Sequence, residues 1–345
     1  MDHDKRYEQL NRRAFFKTTA GAVGAMTAVD LTALGITPPA PQLDGARNAE
    51  PRAISRVVTP TLDIAYEVSG PVDGPPVILL HGWPDDVRTW DKVLPTLHAS
   101  GFRTIAPYLR GFGPTRFRSP ETPRSGQLSA LGRDLIDLAD GLGLSTFRVI
   151  GHDWGARAAY IAAALWPERV NRCVSISVGW GTNDPTQPLS LQQAQNYWYH
   201  WYMALDRGER LVREDRVGFT RYLWDTWSPH GWYTEQDFRS TALSFENPDW
   251  AAVVLHSYRQ RWGLAEGVSS YAALEVRLQP SPTITVPTLV IHGGVDTCNS
   301  PQTSEGRERL FSAPYHRIVI DKVGHFPQRE APASVARAIV PFLTG

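Results

Sequence analysis

At 345 residues, with 35 Lys plus Arg set against 35 Asp plus Glu, the chain is long enough for one large α/β domain with an insertion, and its core needs no covalent staple. A net charge of zero argues against nucleic acid and anionic membrane surfaces as partners, because both recruit clustered cations. Two cysteines, Cys173 and Cys298, are too few for a disulfide framework and read as ordinary thiols; with no metal-spaced His/Cys cluster and no Gly-rich phosphate loop, no cofactor is implied.

The first 49 residues read as an address. Asn11-Arg12-Arg13-Ala14-Phe15-Phe16-Lys17 resembles the bacterial twin-arginine export motif and leads into the small-residue apolar run Ala20 to Ile36. A Pro/Ala-rich stretch, Thr37 to Ala49, follows as a cleavage and linker zone. The resemblance implies recognition by the twin-arginine export machinery and a periplasmic or extracellular destination; a chain whose signal does not function would stay cytoplasmic. Asp30 interrupts the apolar run, which is also short and rich in Gly and Ala, so a stable membrane span is not expected.

From residue 50 the pattern is that of alternating strands and helices. Ile54 to Val58 and Leu62 to Val68 alternate and are separated by Thr-Pro, predicting an antiparallel pair. Val77 to Leu80 is continuously apolar, as a strand buried on both faces requires. Val87 to Leu97 has helical period, Phe102 to Ala106 is the next strand and Leu128 to Leu142 the next helix. Thr146 to Ile150, Ala156 to Trp166 and Val170 to Val178 continue the alternation. This predicts a mostly parallel, doubly wound sheet with its binding groups at the carboxyl ends of the strands. From Gly179 the pattern breaks. Residues 180–285 show helical runs and no clear strand, and they carry eight of the twelve tryptophans. That density suits a helical lid over an apolar pocket, with most of the tryptophans serving as filling. The core resumes at residue 286 with the strand Pro287 to Gly293, a helix around Ser304 to Phe311, the strand Tyr315 to Ile320 and a closing helix from Ala331 to Leu343.

The chemistry centres on Val149-Ile150-Gly151-His152-Asp153-Trp154-Gly155. Small residues two before and two after the central one, between a strand and a helix, are the layout of a nucleophile elbow, here presenting an aspartate. A carboxylate nucleophile attacks carbon and forms an alkyl ester, so epoxides or alkyl halides are the expected targets. Asp296 follows the strand ending at Gly293, and His325 lies in Val323-Gly324-His325-Phe326 after the last strand. Nucleophile, acid and histidine in that order form the triad pattern of α/β hydrolases. Asp184 is the alternative acid, while His81 and His152 read as scaffold.

With these residues in view the chain resembles the epoxide hydrolases of the α/β-hydrolase superfamily from Ile54 onward. His81-Gly82-Trp83-Pro84 matches that family's His-Gly-x-Pro turn, and Leu109-Arg110-Gly111-Phe112-Gly113 matches the Arg-Gly-aromatic-Gly loop. Tyr108 stands at a commonly acidic position. The resemblance implies an α/β-hydrolase fold with an inserted helical lid, and an oxyanion hole made by the backbone N–H groups of Trp83 and Trp154. It also implies two lid tyrosines that protonate the epoxide oxygen. The nearest matches are Tyr199 in Tyr199-His200-Trp201-Tyr202-Met203 and Tyr258 in His256-Ser257-Tyr258-Arg259, with Tyr202 and Tyr197 as alternatives to the first. The expected product is a vicinal diol, and the expected substrate a small apolar organic molecule.

Two other readings use the same residues. A haloalkane dehalogenase shares the aspartate elbow, and Trp154 could hold a halide through its indole N–H, although that family usually places Asn or Glu where Trp83 sits. Fluoroacetate dehalogenases carry arginines one and four residues after the nucleophile to clamp a carboxylate, of which only Arg157 is present; one helical turn from Asp153, it reads as a structural ion-pair partner. A non-catalytic ligand-binding member of the fold is the remaining alternative.

Overall fold

The computed structural model describes residues 53–182 and 188–345. The twin-arginine-like segment, its linker and the alternative acid Asp184 lie outside the described residues. No described helix is long and apolar enough to cross a membrane.

Strands β1 (Ile54–Val58) and β2 (Leu62–Ser69) pair antiparallel, and β2 is also antiparallel to β4 (Arg103–Pro107). From there the sheet is parallel through β3 (Pro76–Leu80), β6 (Phe147–His152), β7 (Val170–Ile176), β8 (Thr288–Gly293) and β9 (Tyr315–Ile320). The order is β1-β2-β4-β3-β6-β7-β8-β9, with the two-residue β5 (Arg116–Phe117) paired to β2. Strand order reverses beside β3, so the carboxyl ends of β3 and β6 flank the crevice where ligands of doubly wound sheets bind. Hydrophobic patterning explains the burial. Val77 to Leu80 and Thr288 to Gly293 are buried at every position, whereas the end strand β1 alternates.

Helix α1 (Leu94–Ala99) packs with α12 (Pro332–Thr344), and α2 (Leu128–Gly141) packs on α3 (Trp154–Leu165), which lies over β3, β6 and β7. Ala-rich α3 is buried along almost its whole length, and its small side chains let it sit close to the sheet.

Two predicted helices are corrected. Val87 to Leu97 is split into a 3-10 turn (Val87–Trp90) and α1, because Pro95, which lacks an N–H, can only sit in a helix's first turn. Ser304 to Phe311 contains no α-helix: two 3-10 turns (Pro301–Ser304 and Glu308–Leu310) flank Gly306, whose φ of 66° interrupts any continuous helix. Strand β7 also stops at Ile176, before the predicted Val178, since Ser177 has turned into the left-handed region at φ 63°.

Between β7 and β8 the described residues form the helical lid: α4 (Leu191–Asn196), α5 (Trp198–Ala204), α6 (Asp206–Glu214), α7 (Arg216–Trp227), α8 (Glu235–Ala242), α9 (Trp250–Arg261) and α10 (Ala272–Arg277). Its tryptophans divide by role. Trp224, Trp227 and Trp250 are fully buried, whereas Trp201 is 39% exposed. The lid is fastened to the core at several points. Trp224 Nε1 donates to Pro84 O (2.7 Å), Ser244 Oγ to Asp86 Oδ2 (2.7 Å) and Ser228 Oγ to Glu330 Oε1 (2.7 Å).

Candidate active site

Asp153 sits between β6 and α3 with φ 48° and ψ −110°, a backbone state L-residues avoid and that costs on the order of 1–3 kcal/mol. The surrounding glycines make it attainable. A Cβ on Gly151 would lie 2.2 Å from Gly155 O, and one on Gly155 would lie 2.2 Å from Leu80 O. One on Gly82 would stand 2.5 Å from the Asp153 Cβ, so the turn after β3 comes within contact of Asp153 only because that residue is glycine.

That approach places the Trp83 N–H against the carboxylate, donating to Asp153 Oδ1 at 3.0 Å. The Trp154 N–H is the first amide of α3, one of the helix-end donors without an intrahelical partner; no hydrogen bond from it to the carboxylate is seen. Asp153 is otherwise enclosed, 4% exposed.

His325 Nδ1 is 2.9 Å from Asp296 Oδ2, and its Nε2 faces Asp153 Oδ2 at 4.0 Å with no hydrogen-bond partner. Asp296 is itself fixed, its Oδ1 accepting from the N–H groups of Cys298 (2.8 Å) and Asn299 (2.9 Å). Burial alone would lower the His325 pKa, but the adjacent Asp296 charge, with Cys298 and the hydrogen bonds, raises it well above 6.5. The loop around His325 is held from both sides. Its N–H donates to Ser228 Oγ (2.8 Å) at the end of lid helix α7, and its carbonyl accepts from His152 Nε2 (2.7 Å) and Ser177 Oγ (2.9 Å).

His152 and His81 are scaffold, as expected. Burial lowers both pKa values to about 4, leaving neutral rings. Since Leu109 N–H donates to His81 Nε2 (3.1 Å), His81 Nδ1 carries the proton and donates to Gly82 O (2.9 Å). The histidine thereby ties the turn after β3 to the Arg-Gly-aromatic-Gly loop. Tyr108 at that loop's base donates to Glu67 Oε1 (2.8 Å), and Arg110 forms a two-pronged pair with Asp134 (2.6 Å each). The tyrosine at the commonly acidic position thus supports the loop. A second buried pair, Arg329 with Asp85 (2.5 and 3.0 Å), clamps the turn after β3 to the short helix α11 (Pro327–Glu330) that follows His325.

Tyr199 and Tyr258 stand together in the lid, their rings 5.4 Å apart and both packed on the Trp83 ring (5.6 and 5.0 Å). Tyr258 OH accepts from Trp154 Nε1 (3.1 Å), and Tyr199 OH meets Cys298 Sγ (3.4 Å). Burial first, and the nearby Asp153 charge as well, push both phenol pKa values well above 10, so both keep their protons at neutral pH. The two alternatives are placed elsewhere. Tyr197 OH is committed to Asn299 Oδ1 (2.8 Å), and Tyr202 is only half-buried, packing on Trp198 and Phe219.

Sequence reasoning missed Cys298, which meets the Tyr199 hydroxyl and lies beside His325, and Trp227, whose ring packs 5.0 Å from the His325 ring. Neither carries a motif; Cys298 lies two residues after Asp296, the one positional hint available. Asp296, Cys298 and His325 bring potential metal-ligand atoms within 4.8 Å of one another, but Asp296 and His325 already consume each other's facing atoms in the triad hydrogen bond.

Comparison with known proteins agrees with this architecture. A family model described as alpha/beta hydrolase fold matches residues 75–332. Among curated proteins, Epoxide hydrolase A of Mycobacterium tuberculosis is 25% identical over 314 residues, spanning 80% of this chain and 92% of that protein. An epoxide hydrolase of Caballeronia sordidicola is 29% identical over 307 residues, spanning 82% and 92%. A crystal structure of an epoxide hydrolase candidate from Klebsiella pneumoniae superposes with a TM-score of 0.78 at 40% identity, covering 84% of this chain and 96% of that one. With most of its length matched by the family model and its sheet in this order, the chain belongs to the alpha/beta hydrolase fold family.

Proposed function

We propose that this protein is an epoxide hydrolase that opens the ring through a covalent ester on Asp153. The observation that carries the reading is the hydrogen bond from Trp154 Nε1 into the Tyr258 oxygen. A hydroxyl that accepts there has its own proton left to give, so Tyr258 has a proton to donate within the aromatic box it forms with Trp83 and Tyr199, near enough to Asp153 to feel its charge. The same bond occupies the indole N–H on which a halide would depend, which favours ring opening over dehalogenation.

In this mechanism an Asp153 oxygen attacks the less hindered epoxide carbon, the ring carbon–oxygen bond breaks, and Tyr258 gives its proton to the departing oxygen while Tyr199 hydrogen-bonds to it. The other oxygen, Oδ1, becomes the ester carbonyl, already beside the Trp83 N–H and within the reach of the first amide of α3. The 4.0 Å gap between His325 Nε2 and Asp153 Oδ2 is too long for a direct hydrogen bond and suits proton transfer through one water. His325 takes that water's proton as its oxygen adds to the ester carbonyl, Asp296 stabilises the imidazolium, the departing alkoxide takes the proton back from His325 to give the diol, and the proton of the regenerated Asp153 carboxyl returns to the Tyr258 phenolate. A single turnover in labelled water tests the ester route: the diol should carry unlabelled oxygen from Asp153, and a product labelled wholly from solvent sinks it.

Two further results are expected. Tyr258→Phe keeps the ring packed on Trp83 but removes the acid, and kcat/KM for diol formation should fall by ~10²-fold; a change below threefold would mean that another group protonates the oxygen. The acid limb of kcat should lie above pH 6.5, because a general base must be neutral and Asp296 favours the protonated His325. Asp296→Asn removes that charge, so it should move the limb to lower pH while cutting kcat by ~10²–10⁴. A limb that does not move in the pH–rate profile would assign it to another group.

The N-terminal segment is proposed, on its paired arginines alone, to direct export. Replacing Arg12 and Arg13 by Lys should leave the protein in the cytoplasmic fraction of a bacterial host.

A further inference from the structure

Tyr258 cannot give up its proton without becoming an anion, and an anion inside the protein needs a compensating charge or donor close by. Two groups meet that need. Trp154 Nε1 donates to the Tyr258 oxygen at 3.1 Å. The Arg261 guanidinium, three residues further along α9, lies 4.7 Å from the centroid of the Tyr258 ring and 5.7 Å from that of Trp154. Arg261 is not spent on an ion pair. Its Nη2 donates to Ser257 Oγ (3.1 Å), its buried Nε has no hydrogen-bond partner, and no carboxylate among the described residues pairs with it, whereas Arg259 on the same helix is paired with Glu209 (2.7 Å). A guanidinium with an unused buried donor is costly unless negative charge comes near it.

The first chemical half moves charge towards these two groups. The Asp153 oxygen–carbon bond forms, the ring carbon–oxygen bond breaks with its electron pair passing to oxygen, and the Tyr258 proton goes to that oxygen. Asp153 ends as a neutral ester and Tyr258 as a phenolate, so one negative charge has passed from carboxylate to phenol. The titratable groups facing that phenol are Asp153 at the elbow, Tyr199 and His200 on α5, Cys298 beyond β8 and Arg261 on α9 itself. His200, its ring 4.4 Å from that of Tyr258, adds no charge: burial, then Arg261 and Arg157, which border one cavity, hold its pKa well below 6.5. Burial and then the Asp153 charge raise the Tyr258 pKa, while Arg261 and the Trp154 hydrogen bond lower it. Alkylation removes the Asp153 charge and leaves both favourable groups in place. Tyr199 is placed differently: its hydroxyl meets the Cys298 thiol (3.4 Å), and burial, Cys298, Tyr258, Asp153 and Tyr197 all act to keep its proton on.

We propose that the Trp154 indole and Arg261 are positioning residues that cradle the Tyr258 phenolate, holding there the charge that Asp153 gives up until the ester is hydrolysed. The indole N–H bond becomes charge-assisted as the phenolate forms, and a cation within ~6 Å of the ring gains from the ring's added negative charge. The proton returning from the regenerated Asp153 carboxyl then restores the resting state. The cradle also accounts for the division of labour between the phenols, in which Tyr258 gives the proton and Tyr199 only hydrogen-bonds. It rests on the epoxide-opening reading above and adds to it two side chains that act through Tyr258.

Asp153→Asn imitates the neutral ester without any substrate, and carbon NMR of tyrosine labelled at Cζ follows the phenol, with the Tyr258 signal assigned by its loss in Tyr258→Phe. In the folded Asp153→Asn protein Tyr258 should ionise at least ~1 pH unit below its position in the parent. Adding Arg261→Gln should move it up again by ~1 unit, and Arg261→Lys should restore part of that shift. Trp154→Phe, which keeps a ring but removes the N–H, should raise it as well. In turnover of styrene oxide, Arg261→Gln should lower kcat/KM by at least ~10-fold, with Arg261→Lys in between. A Tyr258 signal that does not titrate before Asp153→Asn unfolds overturns the cradle, as does one indifferent to the residue at 261; if Arg261→Gln does not fold, indifference to Trp154→Phe overturns it instead. Undiminished diol formation by Arg261→Gln also overturns it and leaves epoxide opening intact. Early, Arg261-dependent ionisation of Tyr258 in a protein that forms no diol from styrene oxide, cyclohexene oxide or propylene oxide overturns epoxide opening and leaves the cradle standing.

Discussion

His325→Gln is expected to stop turnover after its first chemical half. In the proposed mechanism, alkylation of Asp153 uses the carboxylate and the phenols, none of which the substitution removes. Hydrolysis of the ester requires a base at the position of Nε2, 4.0 Å from Asp153 Oδ2, and glutamine is not one. The variant should therefore burn one equivalent of epoxide and then slow by ~10³–10⁴-fold, holding an adduct equal in mass to the epoxide on the peptide that contains Asp153. Intact-protein and peptide mass spectrometry would read it directly. An unmodified protein that keeps producing diol at the original rate would remove His325 from the mechanism. The environment favours survival of the fold: the loop is held by main-chain bonds from His325 to Ser228, His152 and Ser177 that do not involve its ring.

Gly155→Ala is expected to have the largest effect on stability for the smallest change in composition. The added methyl would lie 2.2 Å from Leu80 O, 2.5 Å from Leu80 C and 2.6 Å from His81 O. All three are backbone atoms of β3 and the turn that follows it, so no side chain can rotate away. Either α3 must lift from the sheet or the turn carrying the Trp83 N–H must shift. Overpacking against fixed backbone costs ~3 kcal/mol or more, which for a domain of this size lowers Tm by about 5 °C or more. Activity should fall further than stability, since the displaced turn supplies the donor to Asp153 Oδ1. A melting curve within 2 °C of the parent, taken with undiminished diol formation, would show that the elbow tolerates a side chain there.

These expectations come from different levels of the chain. The glycine at 151 answers to its own turn, where a Cβ would meet Gly155 O, whereas the glycine at 155 answers to the backbone of β3, although both can be read from the spacing around Asp153. The order of Asp153, Asp296 and His325 along the sequence could likewise be read, since each follows a strand of a parallel sheet and the strands' carboxyl ends share one edge. Other features escaped that reading. The 3-10 turns around Gly306 have the composition of a helix, and the two-residue β5 is too short to show a period. Tyr199 was nominated only through resemblance; what separates it from Tyr197, two residues earlier, is that one hydroxyl faces Cys298 while the other is spent on Asn299.

By itself the sequence determined the alternation that builds a doubly wound sheet, the sharp strand-to-helix turn and the aspartate at its apex, because these follow from periodicity, from steric limits at the turn and from chain order. Only the tertiary structure decided that Trp154 donates to the Tyr258 hydroxyl, what raises the His325 pKa, and that Arg261 and Arg157 border one cavity. Those properties depend on groups such as Trp154 and Tyr258, 104 residues apart in the chain, and on burial that exists only after lid and core have closed on each other. Hydrogen-bond direction and desolvation are set by neighbours in space, and neither period nor spacing along the chain encodes them.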